Sequence, residues 1–195
     1  MKHLEVAEIA KLLSDGSVGA ETCRHLAESC PICAERLSQV EALMKRFRHW
    51  DAETVVREAP AAESLLDILL EQGEGRARWI LLVEENPDLQ TWCVAWIALE
   101  RAQALLTSKE GKGKARDLAL LAVAIAGHLG ASYHPDSIAD LKALAYATAA
   151  AAKSLGTDAL FTLRQVAAAV MALDEGTGDP TVAREVLGLL GRFCS

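Results

Sequence analysis

The chain has 195 residues, a hydrophobic fraction of 51% and a formal net charge of −7. So large an apolar fraction supports a packed core and excludes disorder as the dominant state. The acidic balance excludes a general nucleic-acid binder, which needs clustered Lys and Arg to displace counterions, so no direct nucleic-acid contact is expected. An acidic surface is either plainly solvated or meets a basic protein partner.

Alanine and leucine dominate the apolar residues, while β-branched residues are sparse and rarely alternate, which predicts an all-α fold. A first helix is expected from about His3 to Leu13, with Leu4, Ile9, Leu12 and Leu13 as its buried stripe. Asp15-Gly16 and Gly19 end it. A second begins near Ala20 and carries Cys23, His25 and Leu26. Pro31 opens a third, at a position where its missing N–H costs nothing, and Leu37, Val40, Leu43, Met44 and Phe47 form one apolar face.

The composition then shifts. Glu58-Ala59-Pro60-Ala61 reads as a joint, so 51–63 is expected to be a linker between a module at 1–50 and a helical domain at 64–195. In the second domain a short helix at 64–70 precedes another at 76–83, stopped near Asn86-Pro87 because the residue before proline leaves the α region. Longer helices follow at about 88–107, 114–130, 136–154 and 158–174, with a last one at 180–193. The short linkers between them favour antiparallel neighbours stacked as helical hairpins. The alanine-rich stretch 143–152 lets helices approach closely and resembles, in degenerate form, a tetratricopeptide unit. The most apolar run, 118–127, is about half the length needed to cross a bilayer, and residues 1–11 lack the apolar stretch of a secretory signal. A soluble, cytoplasmic protein with no membrane partner is expected.

The residues that carry chemistry lie in His25-Leu26-Ala27-Glu28-Ser29-Cys30-Pro31-Ile32-Cys33. Two thiolates separated by two residues can hold one metal ion from a tight turn, and a nearby histidine adds a third ligand. Zinc takes four such N and S ligands tetrahedrally. His25, Cys30 and Cys33 are the candidate ligands, and the fourth is either His3 or Cys23. His3 is favoured, because Cys23 and His25 point about 200° apart around a helix. Four protein ligands make such a site structural. A buried pair of thiols or a redox dithiol is the competing reading; the βαβ setting of thioredoxin-like motifs is not expected here. Trp92, Trp96 and Leu99 fall at helical spacing, which makes them core residues or, alternatively, the lining of a partner-binding groove.

His3, the stretch from Ala10 to Gly16, and Glu21 to Cys33 resemble the zinc-finger domain of zinc-binding anti-sigma factors, over about residues 1–50. Four residues separate His25 from Cys30 where the commonest form has three. The segments 78–87, 117–129 and 140–147 resemble uncharacterised bacterial proteins that join this zinc finger to tetratricopeptide-like helices. The resemblance implies a soluble anti-sigma-like transcription regulator with a structural Zn2+ and a sigma factor as partner. The alternative is a helical-repeat scaffold or adaptor subunit of a larger assembly, with the zinc module as a staple. Neither reading is enzymatic, and no nucleophile–base pair or phosphate-cradling loop is legible.

Overall fold

The computed structural model describes residues 3–14, 28, 30–49, 51–72, 75–108, 110–152 and 159–191. Within these it is all-α, and among the described residues there is no strand. The chain divides into two compact units, Met1–Ala61 and Ala62–Ser195.

In the first unit, α1 (Val6–Ser14) packs on α2 (Pro31–Phe47). Ile9 and Ala10 of α1 meet Leu37 and Val40 of α2 and Ala52 at the start of α3, with Leu4, Val6, Leu12, Leu13, Met44 and Val56 around them. The apolar spacing expected for the first and third helices is therefore the spacing that packs. Helix α1 begins later than expected, at Val6, so His3 precedes it. Its start is closed by the Glu5 amide, which donates to Glu8 Oε2 at 2.8 Å, half of a capping box. Helix α2 ends at Arg48, whose φ of 46° is left-handed, and the chain turns into buried His49.

Residues 51–63, expected as a linker, are instead the first half of α3 (Ala52–Gln72), and the short helix expected at 64–70 is its second half. The reason is a stripe the sequence already contains. Ala52, Val55, Glu58, Ala62, Leu66 and Leu69 are all buried and fall three or four residues apart straight through Pro60. Pro60 itself is on the exposed side, where the carbonyl that loses its amide donor is least costly to leave unpaired. Asp51 starts the helix. Its Oδ1 accepts from the Glu53 amide at 3.1 Å, its Oδ2 from the Thr54 amide at 3.3 Å, and Thr54 Oγ1 donates to the same carboxylate.

In the second unit, α4 (Arg76–Glu85) leads through a 3-10 turn at Pro87–Leu89 to α5 (Trp92–Leu105), followed by α6 (Lys112–His128), α7 (Pro135–Ala151), α8 (Ala159–Asp174) and α9 (Pro180–Gly191). The helix expected at 88–107 starts at Trp92 because Thr91 Oγ1 caps it, accepting from the Val94 amide. Consecutive helices α5, α6, α7 and α8 pack on one another, and α9 also packs on α7. Helix α5 is buried from Trp92 to Leu99 without a break. Helix α7 buries Ala143, Leu144, Ala145, Ala147 and Ala149–Ala151, small side chains that let its neighbours approach closely. Its buried Thr148 donates to Leu144 O at 2.8 Å, so this hydroxyl is not stranded in the core.

Asp140 of α7 is also buried, and it fastens the α8–α9 turn. It accepts from the Thr177 amide at 3.2 Å and from Thr177 Oγ1 at 2.5 Å. Gly176 lies so close that a Cβ there would strike this carboxylate. Replacing Asp140 by alanine leaves both Thr177 donors without their acceptor. The expected result is a loss of about 1–3 kcal/mol, read as a lower urea midpoint of the second unit.

Candidate metal centre

Three of the candidate ligands converge. His3, Cys30 and Cys33 offer one nitrogen and two sulfurs, all within 4.8 Å of one another. His3 Nδ1 is 3.2 Å from Cys30 Sγ, although 27 residues separate them. Around a tetrahedral zinc with bonds of about 2.0–2.3 Å, ligand atoms sit roughly 3.5–3.8 Å apart, so the cluster is close enough to hold a metal ion with small adjustments. The donor set is N and S, which suits a zinc-like cation better than calcium or magnesium.

The local chain dictates this placement. Cys30 is the residue just before α2, extended at φ −144° and ψ 111°, and Pro31 takes the first helical position. Its carbonyl accepts from the Ala34 amide at 3.0 Å. The Cys30 sulfur therefore faces the free N–H groups of the first turn, and Cys33 stands one turn on. The Cys33 amide holds the Cys30 thiol down to a pKa of about 7, from an ordinary 9.0. Burial works against this, while Cys33 Sγ, His3 and the Ile32 amide assist it. A helix N-terminus favours negative charge. The thiolate is the metal-binding form, so the turn presents a ligand already deprotonated in good part at neutral pH.

His3 is delivered by the segment leading into α1, and α1 is tied down at both ends, to α2 at one and to the start of α3 at the other. At the near end, Arg36 Nη1 donates to Leu4 O at 2.5 Å and pairs with Glu5 at 3.2 Å. At the far end, Ser14 Oγ donates to Asp51 Oδ1 at 2.7 Å and accepts from the Glu53 amide at 3.3 Å. Burial opposes ionisation of Asp51, but its bonds from Ser14, Thr54 and the Glu53 and Thr54 amides outweigh burial and hold its carboxyl below the ordinary value. Sequence reasoning missed Arg36 and Asp51. Arg36 lies three residues after Cys33 on the same helix face, but that spacing alone does not separate it from a solvated arginine. Asp51 could have been found as Asp-x-x-Thr ahead of a helix.

His25 and Cys23, the third ligand and the alternative fourth, lie outside the described residues. Of the two readings of Trp92 and Trp96, core and groove lining, their burial fits the first. The two rings stack 6.2 Å apart at 2% and 6% exposure, inside the second unit. Trp96 Nε1 donates to Glu100 one turn on at 3.1 Å, so its polar end is satisfied and the ring is free to be core. His134 and Asp136, 3.7 Å apart, form an exposed pair beside α7, while Asp140 is engaged by Thr177. No helix among the described residues is long and apolar enough to cross a membrane. Compared with known protein families, curated proteins and solved structures, the chain matches none.

Two titrations follow from this geometry. In reduced, metal-free protein, the ultraviolet thiolate absorbance should show a group ionising at about 7, and Cys30→Ser should remove it. His49 is the second. Burial holds its pKa below the ordinary 6.5, against the upward pull of the Asp51 carbonyl and the Asp51 and Glu58 carboxylates. Its neutral form is the one the fold accepts, so the first unit keeps its full stability above pH 6.5 and loses it as pH falls below. Thermal melts between neutral and mildly acidic pH should show this fall, and His49→Gln should flatten it.

Proposed function

We propose that the chain is a non-enzymatic protein-interaction regulator whose first unit is clamped by one structural zinc ion. The observation that carries the reading is the approach of His3, from ahead of α1, to Cys30 and Cys33 at the start of α2. Three soft or borderline ligands from two separate segments are an economical way to hold a unit too small to bury much core. His25, whose position in the sequence precedes Cys30 by five, is the fourth ligand in this reading. With four protein ligands the ion has no open position, and its contribution is to folding.

The clamp fixes the outward surface of α1 and α2, where Ala7 and Lys11 of α1 and Ala34, Glu35, Ser38, Gln39, Glu41 and Ala42 of α2 are exposed. In this reading that surface docks a protein, and the resemblance of residues 1–50 to zinc-binding anti-sigma factors makes a sigma factor the partner. The second unit is then a helical platform.

Purified chain should contain one zinc ion, lost in both Cys30→Ser and His25→Ala, with melting of α1 against α2 seen as lost amide protection. Zinc-loaded protein should retain a sigma factor in a pull-down, and chelation should release it. Full metal loading with no retained sigma factor would leave the clamp standing and sink the regulator. Absence of metal in protein purified under reducing conditions would sink both.

A further inference from the structure

Helix α8 is apolar on two sides. Thr162, Ala169 and Ala172 are buried within the second unit, where α8 packs on α7. On the opposite side Leu160, Leu163, Val170 and Met171 are exposed by 54%, 56%, 52% and 65%, and Ala167 is exposed between them. With Arg164 and Asp174, also exposed, these residues fall within an arc of about 120° at 100° per residue. Large apolar side chains concentrated on one face of an outer helix mark an interaction surface.

We propose that this face pairs with itself, so that two copies of the chain associate through antiparallel α8 helices related by a two-fold axis near Ala167. The charges on the face choose the occupant. Its first half carries Arg164, while its end carries Asp174 and Glu175. A parallel copy would set arginine against arginine and acid against acid. An antiparallel copy sets Arg164 beside the partner's acidic end, twice, and also opposes the two helix dipoles.

The spacing agrees. With the crossing at Ala167, Arg164 and the partner's Asp174 lie roughly 6 Å apart along the axis at a rise of 1.5 Å per residue. Side chains lean toward the N-terminus of their own helix, so in antiparallel helices these two lean toward each other. Leu163 and Val170 share one flank and interleave with the partner's Val170 and Leu163. On the other flank, the Arg164 stem covers the partner's Met171. Ala167 at the crossing leaves room for close approach. Each contact occurs twice, as an isologous interface requires.

Sedimentation of the full zinc-loaded chain, from low to high micromolar concentration, tests the proposal. The native chain should shift from monomer to dimer across that range. Leu163→Glu and Val170→Glu should each weaken the dimer by more than about tenfold, about 1.4 kcal/mol, with unchanged helical circular dichroism. Arg164→Glu should weaken it as well, and adding Asp174→Arg to that variant should restore it, which a fold defect would not do. A native chain that stays monomeric throughout, or a dimer indifferent to both glutamate variants, would overturn self-association. Failure of the charge exchange to rescue would overturn the antiparallel order.

Discussion

The first unit depends on holding a nine-residue helix in place. An isolated helix of that length is not stable in water, because the cost of nucleation is spread over too few hydrogen bonds. Among the described residues, the apolar seam it shares with α2 and α3 has five buried members, Ile9, Ala10, Leu37, Val40 and Ala52. At about 1.5–3 kcal/mol for each large apolar side chain such a seam stabilises by roughly 5–10 kcal/mol, less than the roughly 9–18 kcal/mol of backbone entropy lost in ordering the nine residues of α1. The unit answers with fastenings at both ends of the helix: Arg36 and the His3–Cys30 contact at one, Ser14 and Asp51 at the other. Side-chain latches of this type contribute about a kcal/mol each. A metal ion held by His3, Cys30 and Cys33 would contribute far more, and at the point where the helix is otherwise weakest.

The placement of Cys30 explains how such a site can load at neutral pH. A thiol must lose its proton to bind a metal, and for an ordinary cysteine that loss competes poorly below pH 8. Here the same feature that opens α2 also pre-ionises the ligand. Pro31 donates no hydrogen bond at the first position, so the amides of Ile32 and Cys33 are the ones left facing the sulfur. Cys30 makes no side-chain cap at the start of α2, but the nearby Cys33 and Ile32 amides favour its ionised form. This gives a Cys-Pro-x-Cys turn a local structural reason independent of any metal, and it makes the turn a stable anchor before an ion arrives.

What the sequence revealed follows from how local each signal is. The all-α class, the N-terminus of α2 at Pro31 and the seam of Ile9, Leu37 and Val40 were legible, since each depends on residues within one or two turns. His3 does approach Cys30 and Cys33, while Cys23 and His25, whose helical angle favoured it, lie outside the described residues. The segment expected as a linker is helical because the stripe from Ala52 to Leu69 runs through its proline, although the division between the two units, at Ala61 and Ala62, falls inside it. A continuous buried face overrides one lost backbone bond when the proline sits on the water side. Trp92 and Trp96 were ambiguous for the opposite reason: periodicity says that a side is apolar, and cannot say what covers it. The Arg36 and Asp140 latches reach across 32 and 37 residues, beyond any local pattern.

That ambiguity about covering is what separates α8 from the helices before it. Helices α5, α6 and α7 are apolar around most of their circumference, and each has neighbours enough to bury it: α5 under α6, α6 between α5 and α7, α7 under α6, α8 and α9. Helix α8 has the same all-round apolar composition but stands at the edge of this arrangement, with α7 as its main neighbour. In a unit where alanine is used so freely, an outer face could have been kept small or charged at little cost to helix stability, since Ala, Glu, Lys and Arg are among the best helix formers. Leucine, valine and methionine there instead expose apolar surface that the fold of a single copy does not need. A second α8 supplies the missing neighbour without any new element, and the charges at its two ends leave it only one direction in which to lie.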